Sequence, residues 1–394
     1  MTVQTPRRSS SLDRDAVSAP KRTAGAGTPL KVKKKRDPLW AKLTVVLGAL
    51  LMMGSGAGIV GTKWLVSNAT NAVTTDDLLG GTKKTAAEGG SSLEGPIDLL
   101  LMGVDARKRW SVDDLHADTI IILHIPASHD QAYLVSIPRD TEVDVPAFAK
   151  SKYGGGKAKA TEAFFHGAQN GGGWAGGAQL MAQTLKNATG ISFDGAAIID
   201  FNGFKGVIDS LDGVKMCVDQ RVKSHHMVTV DGKPMYLADA RKTGKTQTPI
   251  YHEKGCRDME GWEALDYARQ RYGLTNGDYD RQRHQQQLIK AMAKKASTSG
   301  VLTNPVKINS LIKSAGKAFV LDTGDVPVAD FIFTLKGVAA NDLVLLRSNN
   351  GTFAGNGSGR EAITEKSREM YRAVKQDKLA DFIISNPDVV AKEK

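Results

Sequence analysis

Four short runs of the chain are apolar at nearly every position: IDLLLMG (97–103), TIIILHI (119–125), QAYLVSI (131–137) and AAIID (196–200). Their length and their β-branched and leucine content predict strands. Because both faces of each run are apolar, the strands belong to a sheet covered by helices on both sides. Apolar residues at helical spacing predict helices over 177–188, 201–211, 260–272 and 280–297, the last two joined by a polar loop. A helix near 306–315, a strand at 342–347 and a helix near 362–382 follow. The glycine cluster GAQNGGGWAGG (167–177) reads as a loop. No internal repeat is visible. The pattern predicts one α/β domain over 96–394, an α-β-α sandwich with a central mixed sheet.

The pattern changes towards the N-terminus. Residues 43–62, LTVVLGALLMMGSGAGIVGT, carry no charge, and about 20 apolar residues span a bilayer core as helix. Trp40 and Trp64 bracket the run as interfacial aromatics do. A helix of a globular core would carry polar residues along one face, and a cleaved signal peptide would have a shorter apolar region behind a shorter leader. Residues 63–95, small, polar and rich in Gly and Ser, read as a flexible stalk. Residues 1–42 have almost no large apolar side chains before Leu39 and read as a disordered basic tail.

Charge sharpens this topology. The 394-residue chain has a formal net charge of +11, which by itself suggests a phosphate-bearing partner, nucleic acid or anionic lipid. Residues 1–42, however, hold eleven Lys/Arg against three acids, so most of the surplus sits in the tail. The cluster KVKKKR (31–36) stands just before the uncharged run, and positive flanks stay in the cytoplasm. The expected arrangement is a cytoplasmic N-terminus, one membrane span and an extracytoplasmic domain in the cell membrane. An exported core without a helix-turn-helix pattern argues against a nucleic-acid partner. An apolar fraction of 41% supports a sizeable core. Both cysteines, Cys217 and Cys256, fall in the exported part, where thiols pair, and a Cys217–Cys256 disulfide is expected.

Three features could carry chemistry. Asp105 follows the strand at 97–103 and Asp118 precedes the one at 119–125. If these strands are antiparallel neighbours, both carboxylates reach one end of the sheet and could hold a hard cation such as Mg²⁺ with phosphate supplying other ligands. Taken alone, each is also an ordinary strand-end residue. Arg139, beside Asp140 in SIPRD, sits at another strand end. The segment YARQRYGLTNGDYDRQRHQQQ (267–287) supplies Arg269, Arg271, Arg281 and Arg283, with Gln285 four residues after Arg281 and hence on its face. Arginine grips phosphate with paired donors. Basic charge in the first turns opposes the helix dipole unless an anion sits there. The sequence contains no GxxxxGK[ST], GxSxG or HExxH motif.

The blocks DLLLMGVDAR, HADTIIILHI, SIPRD, AKATEAFFHG and YARQRYGLTNGDYDRQRHQQQ, in this order over 97–300, together resemble the LytR-CpsA-Psr family of cell-wall assembly enzymes. The resemblance implies a phosphotransferase of Gram-positive envelopes. Such an enzyme moves a glycopolymer of teichoic acid, arabinogalactan or capsule type from a polyprenyl-pyrophosphate carrier to peptidoglycan, leaving a phosphodiester link. By position, Asp105 and Asp118 correspond to Mg²⁺ (or Mn²⁺) ligands. Arg107, Arg139, Arg269, Arg271, Arg281 and Gln285 correspond to the pyrophosphate-binding set, and Lys159 to a further basic position. Asp105, Asp118 and Asp140 are the candidates for general base. Two positions depart from the pattern: His116 and His284 stand where Arg is common. The carrier's lipid implies an apolar groove, for which AFFHG and the apolar face of 177–188 offer side chains that could equally be ordinary core. A hydrolase of the same lipid pyrophosphates and a non-catalytic binding protein or transcriptional attenuator are the alternative readings.

Overall fold

A computed structural model describes residues 74–85, 88, 93–105, 115–301, 304–315, 319–324, 326 and 343–392. The basic tail (1–42), the apolar run (43–62) and Arg107 lie outside them. Among the described residues no helix is long and apolar enough to cross a membrane.

The described residues open with β1 (Thr74–Thr75), β2 (Ile97–Val104), β3 (Ala117–Ile125), β4 (Ala132–Ser136), β5 (Glu142–Val145) and β6 (Gly156–Lys159). Two helices follow, α1 (Ala160–Ala168) and α2 (Gly173–Thr189), then β7 (Gly195–Asp200) and α3 (Phe201–Ser210). A strand-rich stretch comprises β8 (Val214–Val218), β9 (Val222–Val230), β10 (Lys233–Tyr236), α4 (Leu237–Thr243), β11 (Thr248–His252) and β12 (Gly255–Met259). The remainder is α5 (Gly261–Arg269), α6 (Asp278–Thr298), α7 (Pro305–Ala315), β13 (Phe319–Asp322), β14 (Leu343–Leu346), α8 (Glu365–Lys375) and α9 (Leu379–Ser385).

Seven strands form a mixed sheet in the order β1-β13-β7-β2-β3-β4-β14. Strand β2 runs antiparallel to β3 and parallel to β7. Residues on β2 divide between two cores, as two apolar faces require. Leu100, Met102 and Val104 join Phe164 of α1 and Leu180 and Leu185 of α2, while Leu99 joins the cluster flanked by Ile289 and Ala293 of α6. The expected helix-covered mixed sheet is therefore present.

Three expectations need correction. The glycine cluster is not all loop: α2 begins at Gly173 and runs through Gly176 and Gly177. Glycine's low helix propensity is outweighed by packing, since α1 and α2 approach so closely that a Cβ on Gly167 would lie 2.3 Å from the Gly176 carbonyl oxygen. The helix expected over 362–382 is two helices, broken where Asp377 adopts a positive φ of 54°. The stalk expected over 63–95 is docked over 74–85. There β1 pairs with β13, Leu78 and Leu79 are fully buried, and their amides donate to Asp322 Oδ2 at 2.9 and 3.2 Å. Lys84 fastens the end of this segment to Asp98 (3.2 Å) and Asp194 (3.0 Å).

Pattern reading also missed the small strands of 142–159 and 214–259, whose short, partly polar runs give weak periodicity. Within the second region β8 pairs antiparallel with β12, which sets Cys256 opposite Cys217, and the two are joined by a disulfide.

Candidate active site

The antiparallel pairing of β2 and β3 sets Val104 opposite Ala117, so Asp105 and Asp118 emerge at the same end of the sheet. Each carboxylate meets an arginine from elsewhere in the chain. Asp105 Oδ2 accepts from Arg269 Nη2 at 2.8 Å, and Asp118 Oδ1 from Arg139 Nη1 at 2.6 Å. The Asp118 backbone carbonyl accepts from Arg281 Nη2 at 2.9 Å. Burial pushes the Asp118 carboxyl up, but Arg281 and Arg139 outweigh it and hold the group below the usual carboxylate range. Burial likewise works against the Arg139 cation, and Asp118 and Asp278 more than restore it.

Arg139 stands among three acids, with its Nε 3.6 Å from Asp140 and 3.8 Å from Asp278. Lys159, the last residue of β6 and the N-cap of α1, holds Asp140 at 2.7 Å. The Nε atoms of both Arg139 and Arg281 are buried without a hydrogen-bond acceptor among the described residues. Buried donors in native proteins normally find acceptors, and the groups nearest Arg139 Nε are the Asp140 and Asp278 carboxylates.

Arg269 closes α5, with its guanidinium 3.9 Å above the Phe201 ring. The turn beyond it is fixed from below. Buried Asp266 takes hydrogen bonds from Ser224 Oγ (3.1 Å) and Gln270 Nε2 (3.0 Å) and pairs with His252 Nε2 (2.7 Å). Ser224 and His252 both address Asp266, so this trio supports the turn and is not arranged as a catalytic triad. Arg271 lies beyond the turn, bonded to the Tyr272 hydroxyl at 2.6 Å and resting on that exposed ring.

Helix α6 supplies the rest. Its first turn carries Asp278 and Asp280, which pair with Arg281 (2.9 Å) and Arg283 (3.1 Å) three residues on. These acids satisfy the helix dipole that the arginines alone would oppose. Asp278 also faces Arg139 and is a site residue that the motif reading passed over; its signal was the i,i+3 spacing to Arg281. Arg283 turns away to Asp219, as does fully buried His284, which pairs with the Tyr267 hydroxyl at 2.9 Å. Burial depresses the His284 imidazole against the raising effect of Asp219. The departure at His284 therefore affects helix packing and not the arginine cluster. His116 stacks on Phe165 with ring centroids 4.8 Å apart.

Gln285, one turn after Arg281, points into a cavity of about 220 Å³. Leu101, Ile121, Ile199, Phe204, Leu288 and Met292 line it, together with Arg269 and Thr119. The cavity lies between the sheet and α3, α5 and α6. Of the two readings of AFFHG and 177–188, the cavity lining and ordinary core, the structure shows the second for Phe164, Leu180 and Leu185, which join the opposite core, and none of these residues lines the cavity. Among the described residues no group of three or more His, Cys, Asp or Glu is placed to hold a metal ion. Asp105 and Asp118 offer two carboxylates, hard donors that suit Mg²⁺ where phosphate oxygens complete its coordination.

A mixed α/β sandwich with an apolar cavity that Arg269 and Gln285 help to line, and with arginine–carboxylate pairs at the sheet end, defines the class of protein. The LytR_cpsA_psr family profile matches residues 62–370, and the chain belongs to this family. It is 31% identical over 238 residues to the probable cell wall biosynthesis protein LcpB of Corynebacterium glutamicum, covering 57% of this chain but only 48% of that protein. It is 24% identical to the cell wall biosynthesis protein LcpA of the same organism, over 89% of this chain and 67% of the relative. The polyisoprenyl-teichoic acid–peptidoglycan teichoic acid transferase TagU of Bacillus subtilis is 27% identical over 69% of this chain and 74% of its own. Among solved structures, protein gbs0355 of Streptococcus agalactiae superposes with a TM-score of 0.56 at 18% identity, over 75% of this chain and 91% of the other. TagV of B. subtilis does so with 0.51 at 21%, over 73% and 98%.

Proposed function

We propose that this protein is a membrane-anchored phosphotransferase that moves a glycopolymer from a polyprenyl-pyrophosphate carrier to peptidoglycan. One observation carries the reading: an apolar cavity of about 220 Å³ whose lining includes Gln285 and Arg269, the latter bonded to Asp105. Such a cavity suits a lipid tail, and Arg269 in its lining suits the pyrophosphate that joins tail to polymer. The names of its relatives, which include a transferase from polyisoprenyl-linked teichoic acid to peptidoglycan, support the same substrate class. The Cys217–Cys256 disulfide fits an extracytoplasmic domain, with 43–62 as the single membrane span and the N-terminus in the cytoplasm.

In this reading the acceptor sugar hydroxyl attacks the polymer-bearing phosphorus. The bond from that phosphorus to the bridging oxygen breaks, and polyprenyl phosphate leaves with the bonding electrons. Phosphoryl transfer of this kind needs positioning and charge neutralisation more than covalent help. Arg139, Arg269 and Arg281 grip the non-bridging oxygens, with Gln285 as a neutral donor, and Lys159 holds Asp140. A Mg²⁺ ion held by Asp105, Asp118 and the substrate's phosphate oxygens would add further neutralisation of the pyrophosphate. The hydroxyl proton passes to a carboxylate. Asp105, Asp118 and Asp140 are the carboxylates for this role, and Arg281 and Arg139 hold Asp118 below the usual carboxylate range.

Arg139→Ala and Asp118→Ala are each expected to abolish transfer while circular dichroism shows the protein folded. Wild-type rates in the double variant would refute the site.

A further inference from the structure

Residues 349–367 carry none of the arginine motifs, yet they touch both halves of the cluster. The Glu361 amide donates to the Asp140 carbonyl (3.0 Å), and the Glu142 amide donates to the Glu361 carbonyl (2.8 Å). These two bonds clamp the segment that carries Arg139 and Asp140. The Glu361 side chain, in a residue only 1% exposed, accepts from the Tyr279 hydroxyl. Tyr279 lies on the first turn of α6, between Asp278 and Asp280 and two residues before Arg281. Asn349 completes the chain: its Nδ2 donates to the Tyr279 hydroxyl (3.1 Å) and to the Ala362 carbonyl (3.0 Å). Its Oδ1 accepts from the Thr364 amide (3.1 Å) and Ser367 Oγ (3.0 Å).

A buried carboxyl in such a place is a costly way to gain stability, because apolar packing of equal volume does as well. Burial pushes the Glu361 carboxyl up against the lowering hydrogen bond from Tyr279, and Asp140 and Asp278 add to the rise, so it feels both halves of the site.

We infer that Glu361, acting through Tyr279, is a positioning residue that sets the spacing between the Arg139–Asp140 segment and the Asp278–Arg281 turn, so that both guanidinium groups meet one pyrophosphate. The inference rests on the transferase reading of the site. Glu361 touches none of the reacting atoms. Its contribution is geometric: a displacement of about 1 Å in a catalytic arrangement can cost on the order of 100-fold in rate.

The test uses the full chain in membranes, with kcat and KM for the lipid-linked substrate and the thermal midpoint measured for each variant. Tyr279→Phe and Glu361→Ala should each lower kcat about tenfold or more with little change in KM. The double variant should fall no further than the worse single one, because both remove the same contact. Glu361→Gln, which keeps an oxygen acceptor for the Tyr279 hydroxyl, should recover most of the rate lost in Glu361→Ala. A purely structural role would lower the midpoint and leave kcat per folded molecule unchanged, which would overturn the inference. Tyr279→Phe removes a single oxygen and decides the matter if Glu361→Ala fails to fold. If Arg139→Ala is inactive while folded Tyr279→Phe has wild-type kcat, the positioning role alone is wrong. If Arg139→Ala is also fully active, the transferase site has failed, and the positioning role with it.

Discussion

Asp118 is where three distant segments converge: its own strand, Arg139 after β4, and Arg281 on α6, the last two at 2.6 and 2.9 Å. Because its folded-state pKa is depressed, it contributes stability that is fully present above the ordinary aspartate value of about 3.9. That contribution is lost as pH falls through the lower folded value. Asp118→Asn should therefore lower the unfolding free energy at pH 7 by about 1–3 kcal/mol. Urea titrations at decreasing pH should show the gap to wild type closing below about pH 4, and a gap independent of pH would contradict the assignment. At this scale much was legible in the sequence. Aspartates at the ends of adjacent strands, and Arg281 and Gln285 four apart, share a site because strand pairing and helix periodicity require it. Asp278 hid in plain view as an i,i+3 partner. Glu361 and Asn349 left no signal, because their contacts to Tyr279 span 82 and 70 residues and follow no local period.

Elements were legible where one periodicity dominated. The long apolar strands β2, β3, β4 and β7 and the helices α3, α5 and α6 follow the pattern closely, whereas the α1–α2 pair was obscured by its glycines. Those glycines allow the two backbones to meet. Gly167→Ala would place a Cβ 2.3 Å from the Gly176 carbonyl oxygen, and Gly177→Ala would place one 2.8 Å from the Phe164 ring. Overpacking of this kind costs about 1–3 kcal/mol, which calorimetry should register as a lowered midpoint for either variant. Gly154→Ala, whose Cβ would meet nothing within 4 Å, serves as the control and should leave the midpoint near wild type. Equal midpoints for all three would mean that the close helix approach is not a constraint. Helix α1 begins directly after Lys159, so this packing also holds the residue that pairs with Asp140.

For the molecule as a whole, the layers followed from the two-faced strands, but which layer holds the cavity did not. The sequence offered apolar residues on both sides of the sheet. Only the packing shows that α1 and α2 join the core on one side while α3, α5 and α6 leave about 220 Å³ open beside Arg269 and Gln285 on the other. Filling that space should separate lipid grip from phosphate chemistry. Ala197→Phe, on the cavity wall, should weaken use of a long-chain carrier by about tenfold or more, since each methylene kept from burial forfeits about 0.8 kcal/mol. A short-chain, water-soluble pyrophosphate analogue should be turned over at close to the wild-type rate, and equal losses on both substrates would place the lipid elsewhere.

The most direct test supplies the full-length protein in membranes with Mg²⁺ and polyprenyl-pyrophosphate-linked glycopolymer, with and without peptidoglycan, and follows the polymer and the released lipid by mass spectrometry. The account predicts polymer joined to peptidoglycan through a phosphodiester and an equal amount of polyprenyl phosphate, only when the acceptor is present and not with Arg139→Ala. Free polymer released at the same rate without peptidoglycan would contradict it and make the protein a hydrolase.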